Sequence, residues 1–374
     1  MSPAPVISDC RARRDRVREA LATAEQPVDA IVISDLVNVR YLTGFTGSNA
    51  AVLIWADDPR SDRICTDGRY LTQVAEQTPD LPAVIARNCL VELVDRAHDS
   101  GGATIGFESD VVTVAQHEAL LARFEEAGSG PELVGRTGLV QRLREIKDAG
   151  EVELLRQACA IGDRALAAII DRGVIVPGAT EREVARTLEW EMYALGADAI
   201  AFETIVAAGA NSAIPHHRPT DDVLATGDFV KIDFGAVVGG YHSDMTRTYV
   251  LGRAADWQRE IYDLVADAQA AGRAALEPGA DLRGVDAAAR SVIADAGHGE
   301  HYVHGLGHGV GLQIHEAPGI GALATGTLPC GAAVTVEPGV YLPGRGGVRI
   351  EDTLIVTDTA PDLLTATDKA FTVI

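Results

Sequence analysis

Apolar runs alternate with helical patterns over the first 135 residues. A charged helix is expected around Asp9–Ala24, and strand-like runs follow it at intervals that leave room for helices. These runs are Asp29–Ser34, Ala51–Trp55, Arg63–Thr66, Pro82–Ala86 and Ala103–Phe107. The pattern predicts a small α/β domain over residues 1–135.

Two charged, amphipathic stretches, 139–147 and 151–171, predict a linker at 136–150 and the first helix of a second domain, 151–374. Thr180 followed by Glu183 forms a capping-box pattern and predicts a helix that runs to about Leu195. Two further helices are expected at roughly 256–276 and 281–296. From Tyr302 to the end, the pattern is glycine-punctuated strand.

A β-hairpin is predicted over residues 228–250. A turn at Val238-Gly239 would place Asp233 directly opposite Asp244, with Cβ atoms roughly 5 Å apart. A turn at Gly239-Gly240 would leave the two carboxylates diagonal on the same face. Facing carboxylates repel unless a cation lies between them. Because apolar residues flank Asp233, burial with a metal is favoured over two solvated acids.

Three histidines follow in a glycine-rich segment, at spacings of four and seven residues. These are His304, His308 and His315, and this arrangement indicates a site more than a structural role. The zinc-peptidase pattern H-E-x-x-H is absent, because neither His117-Glu118 nor His315-Glu316 has the second histidine.

Two glutamates complete the candidate residues. Glu337 precedes Pro-Gly at the end of a predicted strand, and Glu351 lies fourteen residues later. Strand alternation places Arg349 and Glu351 on one face of their strand. Taken alone, each glutamate would be interpreted as a surface residue.

Charge and cysteine usage narrow the classes of function. The chain has 32 basic and 54 acidic residues, a net charge of −22, which disfavours binding to nucleic acid or to an anionic membrane. None of its three lysines follows a glycine, so no Walker-type loop can be present. The five cysteines form no C-x-x-C pair, and no apolar run is long enough to span a membrane. A cytoplasmic protein is expected.

Together these motifs resemble the M24 metallopeptidases over residues 140–357. The resemblance implies a pita-bread catalytic domain, an α+β fold with an antiparallel sheet and covering helices. It also implies two divalent metal ions held by Asp233, Asp244, His308, Glu337 and Glu351. The N-terminal region resembles the creatinase-type domain at 38–49 and 66–70, which completes a two-domain α/β protein.

The chemistry of the implied ligand set favours manganese, with cobalt or zinc as the alternatives. Four carboxylates match the charge of two divalent cations, and one imidazole completes an oxygen-rich site. Two metals would lower the pKa of a shared water and polarise the scissile carbonyl.

The resemblance also implies roles for other residues. His216 is expected near the leaving or amino end of the substrate, and His304 and His315 are expected to stabilise the tetrahedral intermediate and the bound imino residue. Glu337 would shuttle a proton as well as bind metal, and Arg349 would orient Glu351 or the substrate. Tyr341 and His315 are candidates for the wall of a proline pocket.

The ending Arg349-Ile-Glu-Asp-Thr resembles the Xaa-Pro dipeptidase and aminopeptidase P branch. Short proline-containing peptides are the expected substrates, and a homodimer is the expected assembly. Many prolidases carry an arginine that pairs with the dipeptide carboxylate, but residues 309–344 contain no arginine or lysine. The nearest cations are Arg345 and Arg349, so longer peptides remain open as substrates.

Three alternatives share the fold. A methionine-aminopeptidase-like enzyme would use the same five ligands, but it generally lacks the creatinase-like domain. A metal-free creatinase-like hydrolase and a non-catalytic binding scaffold both lack a complete ligand set. All five ligand positions of the family are occupied by metal-binding residues in this sequence, which disfavours the metal-free hydrolase and the binding scaffold.

Overall fold

The structure is a computed structural model that describes residues 9–374. It contains two compact units, residues 9–144 and residues 145–374. The division falls inside the segment 136–150 predicted as the linker, and residues 1–8 of the predicted first domain lie outside the described range.

The unit of residues 9–144 is an α/β unit with one sheet. Its helices are α1 (Cys10–Ala22), α2 (Leu36–Thr43), α3 (Leu71–Gln77), α4 (Cys89–Asp99), α5 (Val114–Ala127) and α6 (Leu139–Glu145), the last of which reaches the boundary. Its strands are β1 (Ala30–Ile33), β2 (Ala50–Trp55), β3 (Arg63–Thr66), β4 (Ala83–Ile85), β5 (Thr104–Glu108) and β6 (Glu132–Arg136). They form a sheet with the order β4-β3-β2-β1-β5-β6.

Apolar side chains of α4 pack on this sheet. Leu93 and Ala97 of the helix share a buried cluster with Val32 and Leu53 of the central strands. All five predicted strands are confirmed. The strand β6 was not predicted, because its sequence Glu-Leu-Val-Gly-Arg shows little alternation.

The unit of residues 145–374 combines antiparallel strands with four long helices. The helices are α7 (Ala149–Asp171), α8 (Glu181–Ala194), α9 (Asp256–Ala274) and α10 (Leu282–Asp295). The strands up to residue 250 are β7 (Ala199–Ile200), β8 (Ile205–Ala208), β9 (Phe229–Phe234), β10 (Ala236–Val238), β11 (Tyr241–His242) and β12 (Met245–Val250). The later strands are β13 (Gly307–Gly309), β14 (Glu316–Ile320), β15 (Ala333–Val336), β16 (Gly339–Leu342), β17 (Gly346–Arg349), β18 (Asp352–Ile355) and β19 (Asp362–Leu363).

Two pairs of helices cover two sheets in this unit. The first sheet has the order β12-β9-β8, and its apolar side chains form one core with those of α7 and α8. The second has the order β14-β13-β15-β18-β19, and its core includes α9 and α10. All the strand pairs in these two sheets are antiparallel, so the predicted α+β architecture is confirmed.

The predicted hairpin is present, with the second of its two registers. The turn residues are Gly239 and Gly240, both with positive φ, which a two-residue hairpin turn favours and a valine would resist. The register that places Asp233 directly opposite Asp244 is therefore wrong. Asp233 pairs with Thr246, and Asp244 lies diagonal to it. Within residues 9–374, no helix is both long and apolar enough to cross a membrane.

Candidate metal centre

All five predicted metal ligands line one pocket of about 450 Å³ in the unit of residues 145–374. Asp233 lies in β9 and His308 in β13. Asp244 immediately precedes β12, Glu337 immediately follows β15, and Glu351 lies between β17 and β18. Strand ends from both sheets therefore supply the donors.

The donor atoms are close enough to share cations. His308 Nε2 lies 3.3 Å from Glu337 Oε1 and 3.6 Å from Asp244 Oδ2. Single donor atoms of Asp244, His308 and Glu351 all lie within 4.8 Å of one another. This spacing suits a metal ion between them.

Burial and contacts with neighbouring charged groups shift the pKa values of three of the carboxyl groups in this pocket. Burial, then the neighbouring carboxylates, raises the pKa of Asp244 well above its usual value, and the same causes raise the pKa of Glu351. Burial also acts on Glu337, but contact with His308 outweighs it and lowers the pKa of that carboxyl to about 2. Such a cluster is unfavourable unless cations neutralise it.

One oxygen provides a direct test of metal fit. Asp233 Oδ2 accepts a hydrogen bond from Arg349 Nη2, but Asp233 Oδ1 is buried with no hydrogen-bond partner among residues 9–374. Leaving a buried carboxylate oxygen unpaired costs on the order of 1–3 kcal/mol or more. A divalent cation supplies what this oxygen lacks, so the residues fit the implied metals.

Two threonines that the sequence analysis missed orient the ligands. Thr246 Oγ1 donates to Glu351 Oε2 at 2.6 Å, and Thr335 Oγ1 donates to Glu337 Oε1 at 3.2 Å. Thr246 lies two residues after Asp244, on the same strand face, so the register could have indicated it. Such partners fix the ligands in orientation.

Arg349 contacts one metal ligand directly and the expected ligand, Glu351, through a threonine. Its side chain is almost fully buried, and it donates directly to Asp233. It reaches Glu351 only through Thr246, whose Oγ1 accepts from Arg349 Nε at 3.0 Å. Its remaining donors reach the Tyr341 hydroxyl at 2.9 Å and the Pro215 carbonyl at 3.1 Å.

The other predicted histidines surround the same pocket. His216 and His315 are exposed in its wall, and His304 is half-buried there. The His315 ring meets the His308 ring edge to face at 4.4 Å between centroids. Tyr341 is buried behind this wall, and its hydroxyl lies 2.8 Å from His304 Nε2.

His308 is held by close backbone contacts on both sides. Gly307 and Gly309 flank it, and a Cβ at these positions would lie 2.0 Å from the Thr335 carbonyl oxygen and 2.2 Å from the Ala317 carbonyl oxygen. Only glycine allows this approach. The alternation of glycines in the sequence therefore has a steric cause.

The loop that carries His216 is anchored from two sides. On one side, the fully buried carboxylate of Glu181 accepts hydrogen bonds from Ala208 N, Asn211 Nδ2, His217 Nε2, Thr220 N and Thr220 Oγ1. On the other, Lys231 Nζ donates to the carbonyls of Ile214 at 2.6 Å and Pro215 at 3.2 Å. Sequence reasoning missed Glu181 and Lys231, because nothing in their spacing distinguishes them.

A cation that the sequence analysis did not name lines the pocket. The side chain of Arg218 is 83% exposed, and its Nε lies 3.0 Å from Oε2 of Glu203, which lines the same pocket. Arg345 and Arg349, the two cations expected from the sequence, are less suitable partners for a substrate carboxylate. The guanidinium of Arg345 stacks over Trp257 at 4.1 Å, and the donors of Arg349 are already engaged. The position of Arg218, two residues after His216, could have indicated it.

Two family models cover most of the chain. The model for metallopeptidase family M24 matches residues 153–358, and the model for the creatinase/prolidase N-terminal domain matches residues 13–146. The chain belongs to metallopeptidase family M24. As an M24 chain it has both the catalytic domain and the N-terminal domain that its motifs indicated.

Relatives of this M24 chain extend over nearly its whole length. The Xaa-Pro dipeptidase of Pyrococcus furiosus is 35% identical over 92% of the chain and 95% of the relative. A solved structure titled Xaa-Pro dipeptidase, from Bacillus anthracis, has a TM-score of 0.91 at 37% identity, covering 98% of this chain and 100% of that one. An X-Pro aminopeptidase from Thermotoga maritima has a TM-score of 0.86 at 32% identity, covering 96% and 100%. Two of these relatives are thus named as dipeptidases and the third as an aminopeptidase.

Proposed function

We propose that the protein is a two-metal exopeptidase that hydrolyses Xaa-Pro bonds at the N-terminus of dipeptides and short peptides. The observation that carries the proposal is the buried cluster of four carboxylates and His308, with an unpaired oxygen on Asp233. Relatives of similar length that carry Xaa-Pro peptidase names support the choice of bond.

The ligands would be Asp233, Asp244, His308, Glu337 and Glu351, with manganese favoured and cobalt or zinc as alternatives. When bound, two such cations lower the pKa of water and polarise a carbonyl oxygen. The protein's own contribution is to fix the ligands, through the threonine hydroxyls and the buried arginine described above.

Other catalytic and binding roles would be carried out by individual residues of the pocket. Glu337, whose carboxylate contacts His308, is proposed to shuttle a proton between the attacking water and the leaving nitrogen. His304 and His315 are proposed to hydrogen-bond the oxygen that becomes charged in the transition state and to contact the imino residue. His216 is proposed to bind near the amino or leaving end, and Arg349 is proposed to hold Asp233 in position.

Proline at the scissile bond makes a shaped pocket necessary. Its nitrogen carries no N–H and its φ is fixed, so a substrate cannot be held by strand-like pairing at that residue. The side chains of His315 and His304, with Tyr341 behind them, form the proposed wall. The hydrogen bond between His304 and Tyr341 would hold this wall in one conformation.

Among the described residues that line the metal pocket, Arg218 is the exposed cation that could pair with the substrate carboxylate. Arg218 lies in the pocket wall but is already paired with Glu203, and an exposed pair of this kind contributes little binding energy. We therefore propose that Xaa-Pro-Yaa peptides are hydrolysed at least as well as Xaa-Pro dipeptides. A hundredfold preference for the dipeptide, about 2.7 kcal/mol, would contradict this.

We also propose a cytoplasmic homodimer. The five cysteines are free, which suits a reducing compartment, and the family resemblance implies the dimer. Size-exclusion chromatography with light scattering tests the assembly, and a monomer at micromolar concentration would exclude it.

A metal-dependence experiment tests the function. The purified chain is stripped with a chelator, reloaded with Mn²⁺, Co²⁺ or Zn²⁺, and assayed on Ala-Pro, Ala-Pro-Ala and Met-Ala-Ser. Hydrolysis of the two proline peptides, only after reloading, is the expected result. Comparable hydrolysis of Met-Ala-Ser would favour the methionine-aminopeptidase alternative. Full activity of the stripped protein would favour the creatinase-like one.

A further inference from the structure

A second cavity of about 910 Å³ adjoins the metal pocket. The two cavities share His304, Gly305 and Gly307 in their walls. The rest of the second cavity is formed mainly by residues 317–327 and by α10. The proposed hydrolysis assigns no role to it.

The cavity has exposed apolar walls. Leu323 is 94% exposed and Val303 is 65% exposed, although both are large apolar residues. Its floor includes part of β14, the edge strand of its sheet. Exposed apolar side chains beside an edge strand are typical of a surface that binds an extended peptide.

The wall between the two cavities is held in place from α10. Arg290 donates to the Tyr302 carbonyl at 3.1 Å and to the His304 carbonyl at 2.6 Å. The same guanidinium makes two bonds to Asp286, at 2.7 and 2.8 Å. His304 therefore has a fixed backbone position, with the metal ligands on one side and the apolar cavity on the other.

The direction of the substrate limits what can occupy this cavity. An exopeptidase that acts at the N-terminus has no chain before the first residue, so a longer substrate extends only beyond the proline. An open cavity that shares wall residues with the metal pocket offers space for this C-terminal extension. Its volume lies in the range of about 300–1,000 Å³ found for clefts that bury a small ligand.

We propose that this second cavity binds the residues that follow the proline of a longer peptide, with an apolar side chain placed against Leu323 and Val303. The inference rests on the proposed function and adds a substrate preference to it. Peptides of the type Xaa-Pro-Leu-Leu gain apolar contacts that a dipeptide cannot make. The alternative exit for the chain lies at Arg218 and Glu203, on the wall of the metal pocket.

A substitution at Gly319 that blocks the second cavity can distinguish this route from the exit at Arg218 and Glu203. A Cβ built on Gly319 meets no heavy atom within 4 Å, and its φ is outside the left-handed region, so neither the backbone nor a close neighbour opposes the addition of a side chain there. Gly319→Leu fills part of the cavity, and Gly319→Ala is the matched control. The manganese-loaded variants are assayed on Ala-Pro and on Ala-Pro-Leu-Leu.

For Gly319→Leu, we expect kcat/KM on Ala-Pro-Leu-Leu to fall at least tenfold, chiefly through KM, while kcat/KM on Ala-Pro stays within twofold. Gly319→Ala should stay within threefold on both. Leu323→Asp should also lower kcat/KM for the tetrapeptide selectively. Unchanged tetrapeptide hydrolysis in both Gly319→Leu and Leu323→Asp, or equal losses on the two substrates, would overturn the inference.

The dipeptide result keeps this test distinct from the proposed function. If the wild-type chain fails to hydrolyse Ala-Pro with any of the three metals, the Xaa-Pro function is wrong and the inference falls with it. If the wild-type chain hydrolyses Ala-Pro, and both Gly319→Leu and Leu323→Asp hydrolyse the two peptides as the wild type does, only the role of the second cavity is wrong.

Discussion

Replacing Glu181 by glutamine should loosen the loop that carries His216 without changing any metal ligand. The carboxylate of Glu181 is fully buried and accepts five hydrogen bonds from residues between 208 and 220. A glutamine has nearly the same shape, but it replaces one acceptor oxygen by an NH₂ donor.

The expected loss of stability follows from the hydrogen-bond partners of Glu181. In the best orientation, the amide oxygen keeps the bonds from Ala208 N and Asn211 Nδ2, while the NH₂ group faces His217 and Thr220. The histidine and the threonine hydroxyl can reorient to accept, but Thr220 N cannot, and an unmade bond of this kind costs about 1–3 kcal/mol. The kept bonds also lose the strength that a charged acceptor gives them. We expect Glu181→Gln to lower the free energy of unfolding by about 2–4 kcal/mol.

The effect should depend on pH. Burial alone would raise the pKa of Glu181, but its hydrogen bonds with Ala208, His217 and Thr220 outweigh burial and lower the pKa. A carboxylate with a lowered folded-state pKa stabilises the fold above its unfolded pKa of about 4.3. This stability is lost as the pH falls through the folded-state pKa. The difference between wild type and variant should therefore shrink in acid.

Urea unfolding at pH 7 and pH 4, with metal content and kcat measured on the same samples, provides the assay. Glu183→Gln is the control, because Glu183 is an exposed residue of the same helix turn and glutamine can still accept the capping bond from Thr180 N. We expect Glu181→Gln to keep its metal and to lose kcat. A loss of stability below 1 kcal/mol, or one equal to that of the control, would refute the role of Glu181 as the anchor of this loop.

Other predictions concern the pocket itself. Asp244→Asn should lower the metal content, measured by mass spectrometry, and nearly abolish hydrolysis of Ala-Pro; full activity of this variant after metal stripping would exclude a metallopeptidase. His304→Ala should keep its metal yet lose roughly 2–4 kcal/mol of transition-state stabilisation, judged by kcat/KM. If both metals leave instead, His304 belongs to the coordination shell. Arg218→Ala should change KM for both Ala-Pro and Ala-Pro-Ala by less than about fivefold, because an exposed ion pair of this kind contributes about 1 kcal/mol or less; a much larger rise in KM for Ala-Pro alone would show that Arg218 clamps the dipeptide carboxylate.

The sequence predicted most of the elements because local patterns determine them. The helices α8, α9 and α10 have capping residues or clear amphipathic periods, and their observed ends lie within two residues of those expected. The strand β6 escaped detection because pairing with β5 along one side, more than its own residues, makes it a strand.

The candidate site was predictable only in part, because distant segments build it. The five donors could be named from their motifs, and the structure brings them into one pocket. Glu181, Lys231 and Thr246 were not named, since their importance depends on residues more than ten positions away. The hairpin register depended on which pair of residues could adopt positive φ, and either turn fitted the apolar pattern.

The glycines on either side of His308 limit how the metal centre can be varied. A single methyl group at Gly307 or Gly309 would overlap a neighbouring carbonyl oxygen, so β13 would have to shift and take His308 with it. An alanine at either position would then mimic a ligand mutation in an activity screen, although neither glycine offers a donor atom. In a library built to change substrate choice, these two positions should be kept constant, and diversity belongs at open positions such as Gly319.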